Sequence, residues 1–190
     1  MKKTAKKIIQ DAIASHALLL LDEKKTTAIE TIAQCLIQCL SKGGKVLIFG
    51  NGGSAADSQH FAAELVGRFQ KERRGLSAVA LSTDSSVLTA LANDYSFDCV
   101  FERQVEALAR RGDVAFAIST SGRAKNVLRA IKKAKQKGLT TIGLTGKDGG
   151  QLARATDHCI KAPAASTARI QELHILIIHI LCQIVENAFT

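Results

Sequence analysis

The stretch KVLIFGNGGSAADSQHFAAELV, residues 45–66, decides the fold of this chain. Its opening run KVLIF (45–49) is short and almost wholly apolar, which is typical of a strand that is buried on both faces. The glycine-rich turn GNGGS (50–54) comes next, and a helical pattern then runs from about Ser54 to Val66. A buried strand, a glycine turn and a helix in this order predict one βα unit of a parallel sheet.

The same alternation continues on both sides of this stretch. Helical patterns over 3–22 and 25–41 open the chain, and a long apolar helix from about Thr167 to Ala188 closes it. Between them, apolar runs separated by helical patterns predict four further strands, at 77–82, 113–119, 140–146 and 157–162.

The sequence therefore predicts a single α/β domain over residues 1–190, a length that fits one domain. The predicted architecture is a three-layer α/β/α sandwich around a five-stranded parallel sheet with flavodoxin-like topology. Residues 1–42 form an N-terminal helical extension. Residues 43–190 form the α/β core together with the long C-terminal helix.

Composition and charge narrow the function classes. Apolar residues make up 46% and charged residues 23%, the balance of a soluble globular protein, and the absence of Trp disfavours stacking on single-stranded nucleic acid. The net charge of +9 favours phosphorylated partners. Lys2, Lys3, Lys6 and Lys7 crowd the N-terminus, and RAKNVLRAIKKAKQK (123–137) has a basic face opposite an apolar one. We interpret that face as solvated rather than as a nucleic-acid site.

Cysteine usage and hydropathy indicate a reducing, cytoplasmic setting. The five cysteines are an odd set without zinc-ribbon spacing, and Cys35 and Cys39 lie in an apolar stretch where buried free thiols are expected. The basic N-terminus is not followed by a signal-peptide pattern, since LDEKK (21–25) stands where small cleavage-site residues would be. No run of 18 apolar residues predicts a membrane span.

Polar loops follow the predicted strands, at the edge of a parallel sheet where ligands bind. GNGGSA (50–55) fits a weak dinucleotide fingerprint with Asp84 on the ribose, although Asp84 lies further along than that pattern requires. The hydroxyl-rich turn STSG (119–122) instead suits one phosphate at a helix N-terminus. We favour a phosphomonoester. The alternative is that Ser54 and Ser121 only cap their helices.

Two helices carry candidate acid/base or metal-binding side chains. His60 and Glu64 share a helical face at i, i+4, a spacing that suits one metal or an acid/base pair. The apolar C-terminal helix carries Gln171, Glu172, His174 and His179. Gln171 and His179 stand about 12 Å apart along a straight helix, which is long for one ion unless the helix bends or two subunits contribute. The alternative for either histidine is a core position with satisfied hydrogen bonds.

Five segments together resemble the sugar isomerase (SIS) domain family, nearest to its bacterial sedoheptulose 7-phosphate isomerases. They cover the chain from Gly43 almost to its end. In order, they are FGNGGSAADSQHFAAELVGRF (49–69), ALANDYSF (90–97), AISTSGRAKNV (117–127), LTGKDGG (144–150) and ARIQELHILIIHIL (168–181).

The resemblance implies a role for each matched residue. Zinc, one ion per active site, would be held by His60, Glu64, Gln171 and His179, with Glu64 and His179 also the catalytic acid/base candidates. Substrate contacts are implied for Asn51, Gly52, Gly53, Ser54, Glu64, Asn93, Asp94, Ser119, Thr120, Ser121 and Gln171. The family forms homotetramers with active sites between subunits. This chain departs from many members after STSG, because Arg123 and Ala124 replace Asn-Ser.

The function implied by the resemblance is an aldose–ketose isomerase. It would convert D-sedoheptulose 7-phosphate to D-glycero-D-manno-heptose 7-phosphate, a precursor for lipopolysaccharide. One alternative is a non-catalytic SIS protein that binds the bacterial replication initiator. The other is an isomerase of another phosphosugar, because pocket depth, which the sequence does not show, sets the sugar length.

Overall fold

The computed structural model describes residues 4–190, so the predicted basic positions Lys2 and Lys3 lie outside it. Eight α-helices and five strands alternate along this part of the chain. The helices are α1 (Ala5–Leu20), α2 (Glu23–Ser41), α3 (Gly53–Val66), α4 (Ser85–Asp94), α5 (Val100–Leu108), α6 (Lys125–Gln136), α7 (Leu152–Ala155) and α8 (Thr167–Asn187). The strands are β1 (Val46–Gly50), β2 (Ala78–Ala80), β3 (Val114–Ser119), β4 (Thr140–Gly146) and β5 (His158–Ala162).

The five strands form one parallel sheet in the order β2-β1-β3-β4-β5, which confirms the predicted fold class and its flavodoxin-like topology. Alternate residues of β1 point to opposite faces of the sheet and belong to two separate hydrophobic cores. Val46 and Ile48 pack with α2, α3 and α8 on one face, whereas Leu47 and Phe49 pack with α5 and α6 on the other. Every residue of β1 is buried, as expected for a sheet that helices cover on both faces.

The structure differs from the sequence prediction at three elements. The predicted strand 77–82 shortens to Ala78–Ala80, because β2 lies at the sheet edge and pairs only with β1. The segment FDCVFERQVEALARR (97–111) has a helical pattern throughout, but it starts with a 3-10 turn at Phe97–Cys99 and its helix ends at Leu108. Helix α7 is one turn long and was not predicted, since four residues are too few for a helical pattern.

The basic helix α6 is amphipathic, as predicted, with Val127, Ala130, Ile131 and Ala134 buried. Three of its cations have acidic partners elsewhere in the chain. The ion pairs are Arg129–Glu102 at 2.6 Å, Lys133–Glu106 at 3.2 Å and Lys135–Asp157 at 2.9 Å. These pairs support the interpretation of a solvated face over a nucleic-acid site.

Helix α8 is a core helix despite its apolar sequence. By length and composition alone it could cross a membrane, but 44% of its most apolar window is buried within the chain. Leu173, Ile177 and Leu181 lie in the same core as α2 and α3. The five cysteines are free thiols; Cys39 is buried as predicted and Cys35 is half-buried.

A buried carboxylate ties the end of α8 to the loop that follows α3. Glu186 is 2% exposed and accepts the backbone N–H groups of Phe69, Gln70 and Lys71 at 2.8–2.9 Å. The buried Arg73 guanidinium lies 3.6 Å from Glu186 and donates to the Glu64 carbonyl at 2.7 Å. Burial alone raises the pKa of Glu186, but the three N–H donors and Arg73 outweigh it, so that pKa lies below its ordinary value.

We expect Glu186→Gln to lower the free energy of unfolding by about 3–5 kcal/mol near neutral pH, because it leaves Arg73 buried without a charge partner. A folded-state pKa below the unfolded one adds stability above the unfolded pKa, near about 4.3 for Glu, and that stability is lost as the pH falls through the folded pKa. Wild type should therefore lose more stability than the variant between pH 7 and pH 3.

Urea unfolding at several pH values measures both effects. Glu72→Gln is the matched control, because the Glu72 side chain is 90% exposed. A Glu186→Gln stability equal to that of the control at pH 7 would contradict the structural role of the buried carboxylate.

Candidate active site

The glycine loop and the STSG loop meet at the carboxyl ends of neighbouring strands, since Gly50 at the end of β1 is in register with Ile118 of β3. Gly50 has to be glycine, because a Cβ there would lie 2.6 Å from the Ile118 carbonyl oxygen. Gly53 is contacted by a side chain instead of the backbone. A Cβ on Gly53 would lie 2.2 Å from the Gln171 amide nitrogen, so the Gln171 side chain rests directly on this turn.

Asn51 is joined to a residue that the sequence analysis did not single out. Asn51 Nδ2 donates to Asn126 Oδ1 and Asn126 Nδ2 donates to Asn51 Oδ1, both at 2.9 Å. Asn126 is 3% exposed in the first turn of α6, and its Oδ1 also accepts the Val127 N–H. The sequence carried a weak signal for it, a polar residue on the otherwise apolar side of α6 just after STSG.

The STSG loop presents its hydroxyl groups rather than using them as helix caps. Helix α3 starts at an N-cap Gly52 and α6 at an N-cap Ala124, and neither has a side-chain cap. The interpretation of Ser54 and Ser121 as simple caps is therefore wrong. Ser121 Oγ accepts the Arg123 N–H at 3.2 Å, which leaves the hydroxyl proton of Ser121 available to a ligand. Ser119 is buried, and Thr120 and Ser121 are half-buried.

A second loop supports the STSG loop from behind. Gly122 has φ +62°, and a Cβ there would lie 2.0 Å from the Gly149 carbonyl oxygen. The Arg123 guanidinium folds back to donate to the Ser121 carbonyl at 3.0 Å and pairs with Asp148 through two contacts of 3.1 and 2.5 Å. The Arg123 charge thus lies at the rim of the loop, where this chain departs from many family members.

His60, Glu64 and His179 come together, as their implied shared role requires. His60 Nε2 lies 3.0 Å from His179 Nε2 and 3.3 Å from Glu64 Oε1. The i, i+4 spacing on α3 brings His60 to Glu64, and α8 supplies His179, which also packs against the Phe69 ring. The His60 side chain is 45% exposed, so a ligand can reach the cluster.

Gln171 does not join this cluster within one chain. Helix α8 is continuous from Gln171 to His179, and Gln171 rests on Gly53, about 10 Å along α3 from His60. In residues 4–190, no group of three or more His, Cys, Asp and Glu side chains closes around a metal position. The donor chemistry nevertheless fits zinc, because separations of 3.0 and 3.3 Å are near the edge of a tetrahedron with bonds of roughly 2.0–2.1 Å.

The remaining predicted residues lie apart from the cluster. Asn93 donates to Asp94 at 2.8 Å, both are exposed, and α4 packs on the opposite face of the sheet from α3 and α8. His174 is fully buried, neither ring nitrogen has a hydrogen-bond partner in residues 4–190, and burial lowers its pKa to about 4. His174 therefore occupies the core, as the alternative had it, but without satisfied hydrogen bonds.

Asp57 is a carboxyl group that the sequence analysis missed. It precedes His60 by three residues on α3, and its Oδ2 is buried without a hydrogen-bond partner in residues 4–190. Burial raises the pKa of Asp57 to about 6, against a smaller lowering effect of His60. The i, i+3 spacing to His60 was the available signal.

The dinucleotide reading is not supported by the structure. Asp84 Oδ1 accepts the Val87 N–H at 2.9 Å and so caps α4. A groove of about 830 Å³ beside Asp84, between α4 and α5, includes Val79, Gln104 and Leu108 and none of the residues of the cluster or the STSG loop. The candidate site is instead the open loop edge over β1 and β3.

Comparison with known proteins agrees with this geometry. The SIS domain model matches residues 12–146. This chain belongs to the SIS domain family. Its relatives include phosphoheptose isomerases from Aquifex aeolicus, 51% identical over 98% of this chain and 97% of the relative, and from Helicobacter hepaticus, 59% identical over 85% and 83%. The solved phosphoheptose isomerase from Francisella tularensis is 36% identical with a TM-score of 0.92, and it covers 96% of both chains.

The SIS domain model and the full-length relatives cover different parts of the candidate site. The SIS region contains the glycine loop, His60, Glu64 and the STSG loop, but it ends before α8. Gln171 and His179 fall within the longer match to the Aquifex isomerase. Similarity over nearly its full length, and not the SIS match alone, places this chain among the phosphoheptose isomerases.

Proposed function

We propose that this SIS domain chain is a cytoplasmic aldose–ketose isomerase that converts D-sedoheptulose 7-phosphate to D-glycero-D-manno-heptose 7-phosphate for lipopolysaccharide precursors. The observation that carries the proposal is the imidazole–carboxylate cluster of His60, Glu64 and His179, on helices that start at the loop edge. Identities of 51–59% with phosphoheptose isomerases over most of the chain support this substrate.

The STSG loop supplies the anchor for the phosphate. Ser119, Thr120 and Ser121 stand at the start of α6, whose N-terminal N–H groups and dipole favour an anion. The Arg123 guanidinium at the loop rim is already paired with Asp148, so the anchor consists of the loop hydroxyl and N–H groups. The phosphate end of the sugar would be held here, and residues 51–54 would contact the sugar. Asn93 and Asp94 lie on α4, on the other face of the sheet, apart from this pose within one chain.

Isomerisation requires a proton to leave C1 of the ketose and a proton to reach C2. We assign the carbon proton to Glu64: its carboxylate takes the C1 proton, the electrons form the C1–C2 double bond of an enediol, and the proton returns to C2. His179 moves the proton between O1 and O2. His60 lies within 3.3 Å of both Glu64 and His179 and keeps these two side chains in position.

A zinc ion fits as the family's metal, held by His60, Glu64, His179 and Gln171. It would stabilise negative charge developing on the substrate oxygen. Gln171 reaches the cluster by leaving Gly53, or a second subunit completes the set. A carboxylate that binds a metal tightly is a poor base, so Glu64 either loosens from the ion during turnover or has only one of its two roles.

The variant Glu64→Gln tests the base assignment. Gln keeps the shape and an oxygen ligand but removes the basicity, so kcat should fall about 10²–10⁴-fold with substrate affinity retained. Turnover of sedoheptulose 7-phosphate followed by NMR gives kcat and the product, and calorimetry gives affinity. A kcat near wild type would move the base role to His179.

The variant His60→Ala tests the metal. We expect purified wild-type protein to carry a divalent ion, chiefly zinc, and the variant to lose most of it, because His60 Nε2 is shared by both close contacts of the cluster. Elemental analysis of the protein measures this without reference to activity. His16→Ala is the control, since His16 bonds the Ala12 carbonyl on α1. Equal metal content in all three proteins would remove His60 from the ligand set.

Exposed apolar side chains on α1 support the homotetramer. Helix α1 buries only Leu19, while Ile13, Leu20 and Leu21 are 63–77% exposed. Such a contiguous apolar face on a single chain marks an association surface.

Light scattering at micromolar concentration should give four chains of 20.3 kDa each. Leu20→Asp should shift the mass to smaller species, because it places a charge in the apolar face. Leu108→Asp, at a 45% exposed position of α5, is the control. A monomeric wild type would overturn the tetramer proposal.

The two alternatives make different forecasts. A non-catalytic protein that binds the replication initiator would show no turnover and would have no need of the cluster. An isomerase of a pentose or hexose phosphate would turn over its own substrate faster than sedoheptulose 7-phosphate. Three cations of α6 are already paired with carboxylates, which also weakens the case for nucleic acid as a partner.

A further inference from the structure

The reciprocal amide pair between Asn51 and Asn126 joins the two loops of the site. Both polar atoms of the Asn51 side chain face Asn126, each at 2.9 Å. This geometry fixes the plane of both amides, because each side chain donates to and accepts from the other. Asn126 is 3% exposed, so water competes little with the pair and the bonds are strengthened by the low local dielectric.

Each partner is built into a rigid element at a functional position. Asn51 stands two residues before α3, the helix that carries His60 and Glu64. Asn126 stands in the first turn of α6, five residues after Ser121, and its Oδ1 also accepts the Val127 N–H at 2.9 Å. The pair therefore links the start of the helix that bears the base to the start of the helix that holds the phosphate.

The Asn51 amide is engaged within the chain, which changes the reading of its role. The resemblance implies that Asn51 contacts substrate, but its side-chain amide is occupied by Asn126 and its carbonyl accepts the Ser54 N–H at 3.0 Å. Its side chain instead spans the gap between β1 and β3 at their carboxyl ends, where Gly50 and Ile118 are already in register. The amide pair adds a side-chain link from the turn after β1 to the first turn of α6.

We propose that Asn126 is a positioning residue that sets the distance from the phosphate loop to Glu64, and thereby selects the length of the phosphosugar. The inference rests on the proposed function. A sugar anchored by its phosphate presents its carbonyl at a distance fixed by the number of carbons. Misplacing the reacting carbon by about 1 Å can cost roughly 10²-fold in rate, so a rigid link of this kind discriminates between chain lengths.

The test compares sedoheptulose 7-phosphate with fructose 6-phosphate in wild type, Asn126→Ala, Asn51→Ala and the double variant. We expect Asn126→Ala to lower kcat for the heptulose phosphate about 10–100-fold, chiefly in kcat rather than KM. The preference for the heptulose over the hexulose phosphate should fall by about tenfold or more. The double variant should be no worse than Asn51→Ala, because both single changes break the same link.

Asn126→Asp keeps the proposal testable if the alanine variant folds poorly. Its carboxylate still accepts the Val127 N–H at a helix N-terminus, but it cannot donate to Asn51 Oδ1. Both substrates carry the same phosphate, so the added charge cancels in the preference ratio. Asn187→Ala, at an exposed position bonded to Lys71, is the matched control and should leave both rates unchanged.

The outcomes separate this inference from the proposed function. Additive losses in the double variant would show that Asn51 acts on substrate directly and would overturn the positioning role. An unchanged preference ratio in folded Asn126→Ala and Asn126→Asp would overturn the selection of length. Failure of wild type to turn over sedoheptulose 7-phosphate would count against the proposed function itself.

Discussion

The side-by-side packing of α3 and α8 is the constraint on which the site depends. Three contacts follow one another along the two helices in the same direction: Gln171 on Gly53, His179 on His60, and Glu186 on the loop after α3. Because both helices start at the carboxyl edge of the sheet, they run parallel for about four turns, the length of α3. A polar cluster in the middle of this pair is therefore fixed from both ends.

The basic charge of the chain is organised rather than diffuse. Three cations on α6 are paired with carboxylates of α5 and the loop before β5, and Arg123 is paired with Asp148 beside the hydroxyl groups of STSG. The attraction of the loop edge for a phosphate therefore comes from the hydroxyl groups and from the N–H groups at the start of α6 rather than from a free cation. A net charge of +9 still raises the local concentration of anionic ligands around the whole molecule.

The local hydrophobic pattern was enough to predict the parallel sheet, its flavodoxin-like topology and most of the bounds of the helices and strands. Strands such as VLIF (46–49) are apolar on both faces, and turns such as GNGGS break the chain clearly. The i, i+4 pairing of His60 with Glu64 was also local. What the pattern missed depends on contacts between distant residues: the partner of Asn51 lies 75 residues away, and that of Phe69 lies 117 residues away. The contact of the Gln171 side chain with Gly53 is likewise a tertiary contact. Only the structure shows that this contact keeps Gln171 away from the His179 cluster.

The uncapped starts of α3 and α6 have a consequence for the energetics of the whole fold. Helices α1, α2, α4 and α8 are closed by the side chains of Thr4, Asp22, Asp84 and Ser166, whereas the helices behind the glycine and STSG loops begin at Gly52 and Ala124. Relative to a capping side chain, alanine at the N-cap costs about 1 kcal/mol of helix stability and glycine only a few tenths. The oxygens of a bound phosphate would take the place of the absent side chain if the proposed substrate binds at these loops. The stability that the free chain lacks at these helix starts would then return on binding, and folding and substrate binding would be thermodynamically linked.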